Sequence, residues 1–156
     1  MKVAFATDHS GFPMKGEVLA ILKDLGIEVV DHGSFTPDRV DFPDLARKLC
    51  ASITKREAER GIMLCGTGIG AAIAANKFPG IRACVCHDVH SAHQGVEHDD
   101  MNVLCLGGKI IGPWLAHDLI KAFVGATFST DEYFRKRLKK LEQMEVDAAR
   151  GLLERT

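Results

Sequence analysis

The sequence predicts an α/β protein, a five-stranded parallel sheet covered by helices on both faces, with a long helix at its C-terminal end. Three observations predict it. Short, almost continuously apolar runs alternate with segments of helical periodicity, a glycine-rich strand-to-helix junction sits near the middle of the chain, and the highly charged C-terminal segment keeps a single apolar stripe.

The first run, residues 3–6, closes at Thr7-Asp8-His9-Ser10-Gly11. Met14, Val18, Leu22 and Leu25 then recur at helical spacing behind Pro13, a residue suited to the first turn of a helix. Residues 27–30 form the second strand, and a polar loop over 31–44 leads to Leu45, Leu49 and Ile53 on one helical face. Strands three, four and five are the runs 62–65, 81–86 and 103–106, each followed by helix-like sequence. From residue 130 onward Phe134, Leu138, Leu141, Ala148 and Leu152 recur at three- and four-residue spacing, which predicts a helix projecting from the domain over 130–156. A lone apolar stripe on such a helix needs a second surface, so a homo-oligomer is expected.

The whole chain, 156 residues at 46% hydrophobic and 26% charged, is expected to form one domain with a substantial core. A formal charge of −1 with evenly spread Lys and Arg argues against a nucleic-acid or membrane surface. Five cysteines without framework spacing suit a reducing compartment, the opening apolar run is too short for a secretion signal, and a cytoplasmic location is expected.

Chemistry concentrates after the strands, where open parallel sheets bind ligands. Asp8-His9 follows the first strand, Cys65-Gly66-Thr67-Gly68-Ile69-Gly70 the third, His87-Asp88 the fourth and Gly107-Gly108-Lys109 the fifth; the first, third and fourth are taken as pocket walls. The glycines of the central loop let backbone N–H groups face an anion, and a cysteine at a helix N-terminus has its thiolate favoured. Taken alone, such a loop serves packing as readily as binding, because it has neither the Lys-Ser/Thr of a P-loop nor the dinucleotide spacing. Cys65 at its mouth makes it a base or nucleophile facing an oxyanion site. Asp8 reads equally as a cap on the first helix.

His87, His90, His93 and His98, with Cys84 and Cys86 on one strand face before them, raise a metal or thiol sensor. Three-residue steps spread those histidines around a helix and match no zinc spacing, so a solvated face with one functional member is preferred. His98, in the polar turn before strand five, is the better acid–base candidate.

Several of these motifs together resemble the type B ribose-5-phosphate isomerases and the related galactose-6-phosphate isomerase subunits. The resemblance runs through Asp8-His-Ser-Gly11, Asp41-Phe-Pro43, Cys65-Gly-Thr-Gly-Ile-Gly70, Ala74-Ala-Asn-Lys77, Gly80-Ile-Arg-Ala83 and His98-Asp-Asp-Met-Asn102. It implies a Rossmann-like three-layer α/β/α sandwich, a homodimer or tetramer with active sites shared between subunits, no metal or other cofactor, and a phosphorylated sugar as substrate. By the same resemblance Cys65 is the base that moves a proton between the carbons flanking the carbonyl, and the N–H groups of Gly66, Gly68, Ile69 and Gly70 hold the enediolate oxygen. Thr67 and His98 open the sugar ring, Asp8 and Asp99 meet sugar hydroxyls, and His9, Lys109 and Arg137 meet the phosphate. Two departures stand out: Tyr133 replaces an arginine one turn before Arg137, and Asp99 replaces a common asparagine.

The expected activity is therefore aldose–ketose isomerisation, with ribose 5-phosphate the default substrate in the pentose phosphate pathway. Tetrose 4-phosphates and galactose or allose 6-phosphate are alternatives, and a non-catalytic phosphate- or nucleotide-binding module is the rival from another class.

Overall fold

The computed structural model describes residues 1–152. Five strands, β1 (Lys2–Thr7), β2 (Glu28–Asp31), β3 (Arg60–Cys65), β4 (Ala83–Val85) and β5 (Val103–Gly107), form one sheet in the order β2-β1-β3-β5-β4. Every pairing is parallel, with Val3 beside Arg60 and Cys65 beside Gly107. Four helices connect them, α1 (Lys15–Asp24), α2 (Phe42–Thr54), α3 (Ile69–Ala75) and α4 (Val89–Asp99), and two follow the last strand among the described residues, α5 (Pro113–Gly125) and α6 (Glu132–Arg150).

Alternation along the strands assigns each side chain to one of two cores. On one face Phe5, Ile62, Leu64, Leu104 and Leu106 meet Val18 and Leu22 of α1, Val96 of α4 and Leu119, Ile120 and Phe123 of α5. On the other, Ala4, Ala6, Met63 and Cys105 meet Leu45 and Leu49 of α2 and Ala71, Ala72 and Ala75 of α3. This is the expected three-layer α/β/α sandwich. Each Leu, Ile or Phe fully withdrawn from water here contributes about 1.5–3 kcal/mol.

Element limits differ from the sequence reading where the sheet ends. Pro13 opens a short 3-10 turn, Phe12–Met14, before α1 begins at Lys15. The fourth strand shrinks from 81–86 to three residues because β4 lies at the sheet edge, and Cys84 is exposed there while Cys86 is buried beyond the strand. The two thiols therefore do not share a packed strand face. Helix α6 starts at Glu132 and closes on Gly151 in the left-handed conformation, so the expected helix is shorter at both ends, and residues 153–156 lie outside the described range. No residue of α6 is fully buried. Among the described residues no helix is long and apolar enough to cross a membrane.

Candidate active site

From β1 the chain turns into α1 on one face of the sheet, and from β3 it turns into α3 on the other. The adjacent strand ends therefore part into a crevice, the position at which open α/β sheets take ligands.

Asp8 and Cys65 stand on its two sides and meet. The Cys65 thiol donates to Asp8 Oδ2 at 2.9 Å, and Asp8 Oδ1 accepts from the N–H groups of Ser10 and Gly11 at 2.8 and 2.9 Å. Asp8 thus closes a turn rather than capping a helix, since the N-cap of the 3-10 turn is Gly11 and carries no side-chain bond. Asp8 is 3% exposed, so its carboxylate is oriented by protein donors instead of water.

The sulfur lies under opposing influences. Burial, the hydrogen bond to Asp8 and Asp8's charge push the Cys65 thiol above its ordinary 9.0, while the N–H groups of Gly66 and Gly68 pull the other way and lose. The expectation that the loop favours the thiolate is corrected: helix α3 supplies only a short dipole, and the nearest charge is a carboxylate.

Glycine is required by the loop. Gly68 has φ +80°, and a Cβ there would stand 3.2 Å from the Leu106 carbonyl carbon. Thr67 is exposed and its Oγ1 accepts from the Ile69 N–H at 3.4 Å; Ile69 is exposed, and Gly70 packs on the Phe42 ring.

Lys109 follows β5, whose end proves an immediate wall: Gly108 N–H donates to Cys65 O at 2.8 Å and Lys109 N–H to Gly66 O at 3.0 Å. The sequence reading preferred the fourth strand, but β5 lies between β3 and β4, and β4's end reaches the loop only through His87, whose Nε2 accepts from Gly107 N–H at 3.1 Å. Ser10, which sequence reasoning passed over, lies with Lys109 against Gly66. His9, next to Asp8, has its Nδ1 buried with no hydrogen-bond partner among the described residues, an unsatisfied polar atom at the end of β1.

Three expected site residues are elsewhere. His98 is in the last turn of α4 rather than in a loop, with Asp99 closing the helix, and its ring stacks on Phe134 at 4.1 Å between centroids. Arg137 is exposed on α6, its guanidinium 5.3 Å from the Tyr133 ring centre. This group lies by the start of β5, whereas Cys65 sits at the end of β3 opposite Gly107, so the length of a strand, roughly 13 Å, separates the two ends. One chain does not bring them together.

The remaining histidines do not converge. His90 pairs with Gln94 and His93 with Glu97, and among the described residues no three His, Cys, Asp or Glu side chains gather as metal ligands.

The fold and crevice define a doubly wound α/β protein with a buried carboxylate–thiol pair beside a glycine loop. A family model described as Ribose/Galactose Isomerase matches residues 3–141. Ribose-5-phosphate isomerase B of Escherichia coli is 42% identical over 127 residues, covering 81% of this chain and 85% of that protein. D-erythrulose-4-phosphate isomerase of Pectobacterium atrosepticum is 38% identical over 130 residues, covering 82% and 85%. The solved ribose-5-phosphate isomerase B of Clostridium thermocellum superposes with a TM-score of 0.91 at 38% identity, covering 95% of this chain and 99% of that one. The chain belongs to the ribose/galactose isomerase family and is a sugar-phosphate isomerase of the aldose–ketose class.

Proposed function

We propose that this protein interconverts ribose 5-phosphate and ribulose 5-phosphate through a cis-enediolate, with Cys65 as the base, in the cytoplasm. The observation that carries the reading is the 2.9 Å contact from Cys65 to Asp8 at the mouth of the glycine loop. The Cys65 thiol, oriented by its bond to Asp8, gives its proton to solvent, a step that rising pH favours. The thiolate then takes the proton from C2 of the open-chain aldose, the electron pair forms the C1–C2 double bond, and negative charge develops on the carbonyl oxygen. The N–H groups of residues 66–70 are the donors for that charge. A proton then passes from O2 to O1, the C2–O2 bond becomes the carbonyl as the double-bond electrons take up the proton returned by Cys65 at C1, and the ketose is complete. Free cysteines throughout the described residues suit a reducing compartment.

The site is completed by a second copy of the chain. His98 and Arg137 lie a strand length from their own Cys65, and exposed Ile69 and Ile73 on α3 and Leu141 and Met144 on α6 offer apolar surface for the contact. His98 and Thr67 open the furanose, Asp99 meets a hydroxyl of the sugar, and His9, Lys109 and Arg137 hold the phosphate.

A four-carbon substrate is the second reading, because the 38% identity to a D-erythrulose-4-phosphate isomerase nearly equals the 42% to a ribose-5-phosphate isomerase. Incubation in deuterated water with ribose 5-phosphate and, separately, erythrulose 4-phosphate, followed by NMR, decides. Cys65-dependent conversion of ribose 5-phosphate with deuterium entering next to the carbonyl supports the pentose reading; conversion of the tetrose alone replaces it. Unimpaired turnover by Cys65→Ala overturns the mechanism.

A further inference from the structure

Two consecutive aromatic residues at the start of α6 each carry one of the polar groups assigned above. Phe134 stacks face to face with His98, centroids 4.1 Å apart and planes 16° from parallel. Tyr133 lies beneath the Arg137 guanidinium at 5.3 Å. The rings are set edge to face with each other, centroids 5.3 Å apart at 79°. Neighbours on a helix point about 100° apart, so Phe134 faces α4 while Tyr133 faces outward, and Arg137, four residues on, returns to the Tyr133 side.

The base of this bracket is fixed. Ser129 N–H donates to Glu97 O at 2.9 Å, tying the approach to α6 onto the last turn of α4, and Asp131 caps α6 by accepting from Tyr133 N–H at 2.9 Å. Tyr133 nevertheless remains 62% exposed, which places an amphipathic ring at the surface with Arg137 over its face and Phe134 at its edge.

We infer that Tyr133 and Phe134 are positioning residues that set the distance between His98, at the sugar ring, and Arg137, at the phosphate, and thereby match the half-site to one sugar length. The inference rests on the sugar-phosphate assignment of His98 and Arg137 proposed above. It also gives Tyr133 a role in place of the absent arginine: the ring holds the remaining guanidinium in one orientation, so a single arginine is presented preorganised.

The test separates ring opening from proton transfer. Ribose 5-phosphate must be opened from its furanose, whereas ribulose 5-phosphate is already acyclic, and exchange of its C1 hydrogen with deuterated water needs only the base. Phe134→Leu is expected to slow ribose 5-phosphate conversion about tenfold or more through a displaced His98. Its exchange rate on ribulose 5-phosphate stays near wild type, and Phe134→Tyr restores conversion. Tyr133→Leu is expected to raise KM about three- to fivefold with kcat unchanged, as expected for loss of an exposed cation–ring contact, while Tyr133→Phe retains the wild-type KM. Equal loss of conversion and exchange in Phe134→Leu, or no loss of either, overturns the inference, as does an unchanged KM in Tyr133→Leu. A wild-type protein that turns over no sugar phosphate overturns the functional reading itself, a result distinct from active wild type with indifferent variants.

Discussion

The Cys65 thiol donates to the buried Asp8 carboxylate across the crevice between β1 and β3, at 2.9 Å. Burial already raises the thiol at this position, and the carboxylate raises it further against the pull of the loop N–H groups. The sulfur is therefore held protonated at rest and becomes a stronger base once its proton is removed. Such a poise suits abstraction of a weakly acidic carbon-bound proton.

The contact fixes the pH dependence. Cys65 acts as the thiolate and its pKa lies above 9.0, so kcat/KM rises with pH toward the alkaline side. Asp8→Asn removes the negative charge that raises that pKa, and burial alone still raises it, so the rising limb moves to lower pH without reaching that of a free thiol. The plateau falls about 10–100-fold because the oriented acceptor is weakened. A pH–rate profile of the variant checks both; a limb that stays in place or moves upward contradicts the assignment.

Much of this was legible because parallel strands buried on both faces leave an unbroken apolar run, as β3 and β5 do. The edge strands obey that rule poorly. All of β2 is only partly covered, and β4 exposes Cys84, so the apolar run 81–86 overstated the strand. The thiol, the glycine loop and Asp8-His9 could be found because each follows an apolar run, but Asp8 and Cys65 are 57 residues apart and their pairing depends on β1 lying beside β3. Strand order is also what inserts Gly107-Gly108-Lys109 next to the loop and leaves His87 at its margin. His98 precedes a strand whereas Cys65 follows one, and in a parallel sheet that difference alone puts them at opposite ends.

That separation predicts complementation between inactive variants. In a mixed dimer of Cys65→Ala and His98→Ala subunits, one shared site has both defects and the other has neither. Random reassortment makes half the dimers mixed, so about a quarter of wild-type activity returns. Turnover measured before and after the two proteins are unfolded and refolded together checks this. Persistent inactivity of a mixture that has demonstrably exchanged subunits contradicts the shared site.

Two glycines separate geometry from composition. Gly68→Ala requires a side chain at φ +80° and 3.2 Å from backbone, so it is expected to cost about 1–3 kcal/mol and to lower kcat by displacing the loop donors. Gly16 lies in α1 with open space for 4 Å around the position a Cβ would take, and Gly16→Ala is expected to stabilise by about 0.4–1 kcal/mol. Urea unfolding gives both signs, and a neutral Gly68→Ala contradicts the close approach.

The buried thiols outside the crevice make stability fall in alkali. Burial raises Cys50 from 9.0 to about 11, and Cys86 and Cys105 are raised in the same direction, chiefly by burial. A thiol whose pKa is higher in the folded state stabilises fully below the unfolded value, because both states are then protonated alike. Above about pH 9 the unfolded chain ionises while the folded chain keeps its proton, so each such thiol removes about 1.4 kcal/mol of stability per pH unit until the folded pKa is reached. Cys50→Ala removes one of these groups and should flatten the decline by that amount between pH 9 and about 11, even though it loses some packing at neutral pH. Urea unfolding of both proteins across that window measures the slopes. Parallel curves would mean that Cys50 reaches solvent in the folded state, contrary to its complete burial between α2 and α3.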